Sequence, residues 1–332
     1  MQSDDNSSDD PLLRLLQRSG RRELPPDDVT RQVYEHAWGV WQAAVRRRRW
    51  WNSGWKIAAS LVLAVVVSLW WRANSVAPEF ALLEAGTDVQ VFGARRTLPW
   101  EATDSRLRVG GAIVTGSVGA RIRRGDGLGM LLGSDTRLRV ASMTSIVLEY
   151  GRIYVDTGPD SAAVQPLVVS TVYGSVGHVG TQFQVDLSHG EFALAVREGR
   201  VVMTTPGSAK QGTAKTARQL TLESGQALQI DRAGRAHRLQ LGPFDAGWLW
   251  ADALARPISI DGRSLDAVLA EVAARSGLSL SYASDAAASQ AHRVVLHGPD
   301  LLLSPRIALD AALAGTRLAF VIQDRALVIQ ER

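Results

Sequence analysis

The spacing of hydrophobic positions changes character three times along the chain. Up to residue 50 the apolar residues fall at helical intervals. From Trp55 to Trp71 the sequence reads WKIAASLVLAVVVSLWW, with no charge after Lys56. Residues 80–242 then alternate with a period of two in short runs broken by Gly and Asp, and the last 75 or so residues mix helical and strand spacing.

In the first block, residues 1–10 are polar and acidic, a composition that predicts disorder. Residues 11–19 offer a short amphipathic helix, which Leu24-Pro25-Pro26 breaks. Asp27 or Asp28 then caps a helix running to about Arg49. On that helix Val33, Ala37 and Trp41 are four apart, with Tyr34, Trp38 and Val45 beside them. Fifty residues bury too little surface to fold firmly alone, so the stripe needs a partner. Either it lies on the bilayer beside its arginines, or it docks into a groove of another protein.

As a helix, the 55–71 run is roughly 26 Å long, close to the ~30 Å hydrocarbon core of a bilayer. Its eight branched aliphatics contribute roughly −2.5 to −5 kcal/mol to insertion. Lys56 sits at the end, where it snorkels to the headgroups. Trp50, Trp51 and Trp55 flank one side, and Trp70 and Trp71 the other, as two interfacial belts. Arg46, Arg47, Arg48 and Arg49 precede the run and only Arg72 follows closely. The positive-inside rule therefore predicts a transmembrane helix over 55–72, residues 1–50 in the cytoplasm and the remainder outside. A buried core helix would not explain the tryptophan pairs, and a signal peptide would not be preceded by about 50 residues.

In the β-rich block the pattern predicts strands at 106–109, 120–123, 128–132, 136–140, 145–150, 152–156, 166–173 and 182–187. Runs 192–197 and 200–203 flank Glu198-Gly199, which predicts a hairpin because glycine accepts positive φ. Strands at 219–222, 227–231 and 236–241 close the block. Many short strands at regular spacing mean a sandwich, a barrel or a solenoid. Gly-Ser-Val-Gly at 116–119 and again at 174–177 would fit similar corners in a coiled β-structure. Gly125-Asp126-Gly127-Leu128-Gly129 lacks the following helix and the Lys/Ser of a phosphate loop, and reads as a strand-linking turn.

Residues 243–255 read as a linker ending in a helical turn with Trp248 and Trp250. A strand at 257–260 follows. Ser264 caps a helix whose stripe is Leu265, Val268, Leu269, Val272 and Ala273, ended by Gly277. Strands at 278–282 and 293–296 come next. Ser304-Pro305 opens a second helix with Leu309, Ala312 and Leu313 inward. Strands at 317–323 and 326–330 form a final hairpin. The predicted order is β-α-β-β-α-β-β, two helices on one small sheet, with 326–330 as an edge strand open to a partner.

Composition narrows the chemistry. The net charge is +4 over 332 residues, much of it the Arg46–Arg49 run, so no nucleic-acid-sized basic surface is implied. Absence of cysteine excludes disulfides and thiolate catalysis, and suits an oxidising periplasm. The histidines (His36, His178, His189, His237, His292 and His297) show no H-x-x-x-H spacing. Nothing in the sequence converges two acid–base groups, so the expectation is a protein that is not an enzyme and needs no metal or cofactor.

Taken together, the order of parts resembles the FecR family of cytoplasmic-membrane regulators of extracytoplasmic-function sigma factors. The carrying residues are Gly180-Thr181-Gln182-Phe183-Gln184-Val185, Arg197-Glu198-Gly199-Arg200-Val201, the stretch from Leu222 to Leu228, and that from Leu148 to Val155. Residues 257–332 are similar to the STN domain of secretins and TonB-dependent transducers, through Leu265-Asp266-Ala267-Val268-Leu269 and Ala311-Ala312-Leu313-Ala314-Gly315-Thr316. The resemblance implies a mainly β protein with an α+β module: a sigma-factor-interacting segment at 1–50, one span, a periplasmic β-domain at 80–242, and an STN-like domain. It also implies two partners, a sigma factor inside, touched by Val33, Tyr34, Trp38 and Trp41, and the signalling domain of an outer-membrane transducer outside. From the residues alone, an envelope-binding scaffold that is merely anchored by its span stays open as the alternative.

Overall fold

The computed structural model describes residues 77–93, 106–158, 164–205, 218–298 and 303–332, together with Val65. Expectations for residues 1–76, including the docking stripe, the arginine run, the tryptophan belts and the membrane span, lie outside the described residues. Among the described residues, no helix is long and apolar enough to cross a membrane.

Residues 77–240 are strands: β1 (Glu79–Ala85), β2 (Val89–Phe92), β3 (Arg106–Arg108), β4 (Ala112–Thr115), β5 (Ala120–Arg123), β6 (Gly129–Leu132), β7 (Arg137–Ser142), β8 (Ser145–Tyr150), β9 (Arg152–Asp156), β10 (Val168–Thr171), β11 (Gly174–Asp186), β12 (Phe192–Thr205), β13 (Arg218–Glu223), β14 (Gln226–Ile230) and β15 (Ala236–Gln240). They form one hydrogen-bonded ladder, β2-β4-β7-β8-β10-β11-β9-β6-β5-β1-β3, with β12 beside β11 and β13–β15 beyond it. The two long strands serve two layers. The first part of β11 pairs with β10 and the second with β9. Strand β12 pairs first with β14 and then with β13. One core fills the space between the layers, taking Ile113, Leu138, Ile146, Val169, Val176 and Met203 from one side, and Phe80, Ile122, Met130, Val155, Phe183 and Leu194 from the other.

This arrangement corrects the hairpin expected at Glu198-Gly199. Strand β12 runs straight through it as a corner between layers. Gly199 (φ +81°) faces Gly180 (φ +55°) on β11, and the β11–β12 register slips there. A two-residue interruption between apolar runs is what a hairpin and a sheet-to-sheet corner both look like in sequence. The two Gly-Ser-Val-Gly copies are not equivalent either: 116–119 is a turn, whereas 174–177 is strand, paired to β10. The period-two pattern also does not reveal β1, β2, β4 and the glycine-rich first half of β11. The turn expected at 125–129 joins β5 to β6, pinned by Arg124, whose guanidinium binds Asp126 (2.8 and 2.6 Å) and the carbonyls of Met143 and Gln165.

Near this buried arginine lies His178, 7% exposed. Its Nε2 accepts the Leu167 N–H (3.2 Å), and its Nδ1 meets no partner. Burial, then the charge of Arg124, pull its pKa from 6.5 down to about 4. A pKa lower in the folded state means that the unfolded chain binds the proton first. Stability is therefore whole above about pH 6.5 and is lost as pH falls toward 4, by about 3 kcal/mol. Glu84 and Asp126, whose carboxyls are held below their ordinary values, act at lower pH, whereas burial raises the carboxyls of Asp156 and Glu198, which oppose the His178 loss as pH falls. In urea unfolding, the change in stability from pH 7 to pH 4.5 is expected to be less unfavourable in His178→Gln than in the unchanged chain by about 2–3 kcal/mol.

The C-terminal part has its own core. Helices α1 (Leu249–Leu254), α2 (Leu265–Arg275), α3 (Asp285–Arg293) and α4 (Pro305–Ala314) accompany a sheet of β16 (Ser279–Tyr282), β17 (Leu318–Gln323) and β18 (Ala326–Glu331). Ser264 caps α2 by accepting the Ala267 N–H, and Leu265, Val268, Leu269 and Val272 face Leu309, Leu313, Leu327 and Ile329. Three expectations change. The strands at 257–260 and 293–296 are each only a bridge, Ile258 to Leu303 and Ser264 to Val295. The stretch before 293–296 is helix α3, capped by Ser284; it buries only alanines (Ala287 and Ala291), so it shows no apolar stripe. Sheet order is β16-β18-β17, so 326–330 is the central strand, and the edges are β16 and β17.

Candidate functional site: a polar joint between sandwich and C-terminal module

Strand alternation gives the second layer two different faces. Phe183, Val185, Leu194 and Val196 point into the core, while Gln182, Gln184, Ala195 and Arg197 point away from it. Beside them on the outward side lie Leu131, Tyr154 and Ala227. That face is covered rather than solvated. Residues 243–255, expected to be a linker, form a 3-10 turn and α1 that press Trp248, Ala251 and Leu254 onto it.

Arg197 is the centre of this joint. It is 2% exposed, donates to both carboxylate oxygens of Asp252 on α1 (2.7 and 3.2 Å) and to the Pro243 carbonyl (3.0 Å), and stacks 5.3 Å from the Trp248 ring. Bidentate pairing of a planar guanidinium with a carboxylate fixes orientation as well as charge. The Tyr154 hydroxyl donates to Gln182 Oε1 (3.1 Å), and Gln182 Nε2 donates to the Ala274 carbonyl at the end of α2 (2.8 Å). Burial pushes the Tyr154 phenol well above its ordinary range, against the pull of Arg197, so it remains a donor. Trp250 Nε1 donates to Gln184 Oε1 (2.9 Å), and Arg152 lies 4.6 Å over its ring.

From the other side, the β17–β18 turn reaches the same corner. Asp324 and Arg325 both hold positive φ (45° and 63°) without being glycine. Such backbone costs about 1 kcal/mol or more per residue. Here the guanidinium of Arg325 bonds the carbonyls of Arg197 and Gly277, which offsets that cost. Gly277 is required at this approach: a Cβ there would sit 2.6 Å from the Arg197 oxygen. A second clamp is Glu84, which pairs with Arg121, Arg123 and Arg256 (3.2, 2.6 and 3.2 Å). Burial alone would raise its carboxyl, but these arginines outweigh it and hold it low. Among the described residues no group of three or more His, Cys, Asp or Glu is placed to hold a metal ion.

Residues 112–202 match the model of the family described as FecR protein. Over this stretch the chain is similar to the FecR family. The FecR match covers β4 to the middle of β12 and so contains Tyr154, Gln182, Gln184 and Arg197. Their partners Pro243, Trp250, Asp252, Ala274 and Arg325 lie beyond it. Two crystal structures of a candidate anti-sigma factor from Parabacteroides distasonis are similar to the chain: 16% identity, 67% of this chain and 98% of that one, TM-score 0.34; and 16% identity, 66% and 97%, TM-score 0.33. No curated protein matches.

None of the site residues expected from the sequence (Val33, Tyr34, Trp38, Trp41, Trp50, Trp51, Trp55, Lys56, Trp70, Trp71, or Arg46 to Arg49) lies among the described residues. In the sequence the joint leaves one trace: polar residues at alternate positions of two apolar strands, Gln182 and Gln184 on β11 and Arg197 on β12, with tryptophans at 248 and 250.

Proposed function

We propose that this chain is a single-pass inner-membrane regulator of an extracytoplasmic-function sigma factor. Residues 1–50 hold the sigma factor in the cytoplasm. The FecR domain and the C-terminal module, in the periplasm, take the signal from the signalling domain of a TonB-dependent outer-membrane transducer. The observation that carries this is the FecR domain at 112–202, placed downstream of the 55–71 apolar run with arginines on its other side. The joint adds a physical role: with its buried ion pair, the FecR domain and module respond to a partner as one body.

Edge strand β17 supports the outer contact. Its sequence is LAFVIQ, without charge or proline, and Val321 and Ile322 are 44% and 40% exposed. An uncharged, apolar edge with unpaired backbone groups is a template for an added strand.

The inner contact is tested by co-expressing the full-length chain with each extracytoplasmic-function sigma factor of its genome. One sigma factor is expected to co-purify, and Val33→Asp with Trp41→Asp is expected to weaken that capture at least about 100-fold, since two apolar anchors are lost from a helix-in-groove contact. Unchanged capture would place the interface elsewhere; capture of no sigma factor would remove the proposal.

A further inference from the structure

Where the β6–β7 turn, the β8–β9 turn and the end of β11 meet, the surface opens into a cleft of about 410 Å³ that shares Arg152 with the joint. Its wall carries Ser134, Asp135, Tyr150, Arg152, Asp186 and Ser188. Three features set it apart from an ordinary turn. Asp135 is held at φ +47°, a conformation costly for a residue with a Cβ, by its N–H bond to the Gly116 carbonyl (2.8 Å). Gly151 must be glycine, because a Cβ there would sit 2.3 Å from Thr136 Oγ1 and 2.6 Å from the Asp135 carbonyl. Tyr150 leaves 44% of its surface exposed at the rim.

The volume suits a small organic ligand. Two carboxylates against one guanidinium make the cleft a poor host for an anion. The lining mixes apolar surface, including the Tyr150 ring and Leu187, with these polar groups, which suits a ligand that is neither ionic nor purely hydrophobic. What remains fits a hydroxyl-bearing ring: carboxylates accept pairs of hydroxyl hydrogens, Arg152 donates, and an exposed aromatic face covers the ring's C–H side. We propose that this cleft binds a saccharide. Arg152 also lies over Trp250 of the joint, so a sugar that engages it touches the body's main internal contact. The proposal is independent of sigma-factor binding: losing it would leave co-purification of the sigma factor unchanged.

The test is calorimetric titration of the full-length protein in a sugar-free detergent with maltotriose, cellotriose, mannotriose and chitotriose, and with inorganic phosphate. At least one trisaccharide is expected to bind with a Kd of about 1 mM or tighter, and phosphate not at all. Tyr150→Ala and Asp186→Asn should each weaken it about tenfold. Asp135→Gly should do the same while leaving the melting temperature in place, because glycine accepts the turn's φ; this separates recognition from folding. No heat from any trisaccharide up to about 10 mM, phosphate binding as tightly as the best sugar, or affinity unchanged in Tyr150→Ala and Asp135→Gly would each overturn it.

Discussion

Replacing Arg197 by methionine is expected to destabilise residues 77–332 by about 3–5 kcal/mol, the cost of removing one partner from a buried ion pair. Asp252, 11% exposed, keeps its charge but loses both guanidinium bonds, and the Pro243 carbonyl loses its donor. The damage should be local before it is global. Amide exchange in 243–255 and at the end of α2 should rise first, because Trp248 loses its stacked cation while the sandwich core is untouched. Pairing Arg197→Met with Asp252→Leu should recover much of the loss, since a well-packed apolar pair replaces buried charges at little cost. A single-mutant loss below about 1 kcal/mol, or no recovery in the double mutant, would mean that the pair does not hold the joint.

The second large effect concerns the corner. Gly199→Ala places a Cβ 2.4 Å from the Gly180 oxygen and 2.6 Å from Thr181 Cγ2, at φ +81°. Backbone strain of about 1–2 kcal/mol adds to overpacking of about 1–3 kcal/mol. A loss of about 3 kcal/mol or more in chemical denaturation is therefore expected, with β11 and β12 slipping in register. By contrast, Gly125→Ala, where a Cβ meets nothing within 4 Å, should change stability by less than about 1 kcal/mol. Equal effects at the two glycines would contradict the corner.

These contrasts show what was legible in the sequence. Period-two runs located β5, β8 and β9 to the residue, because each sends alternate apolar residues into the core. The capping serine of α2, the proline that opens α4 and the apolar stripe of each located these helices. Failures followed one physical rule: a long-range partner changed the meaning of a local pattern. Glu198-Gly199 is a corner rather than a hairpin because Gly180, far back in the chain, sits opposite it. Helix α3 hides because alanines suffice where the neighbouring helix and sheet lie close. The 243–255 segment reads as a linker until the outward face of β6, β9, β11 and β12 gives its tryptophans somewhere to go. Of the candidate site, Arg197 and the two glutamines are visible only as polar breaks in apolar strands; apart from Tyr154, their partners come 46 to 128 residues later.

The proposed function requires residues 1–50 and the domain containing 112–202 to lie on opposite sides of one bilayer. Fusing alkaline phosphatase, and separately green fluorescent protein, to the C-terminus of the full-length chain in a Gram-negative host tests this directly. Phosphatase activity without fluorescence is the predicted result. A fluorescent fusion with an inactive phosphatase would place the FecR domain in the cytosol and contradict the account.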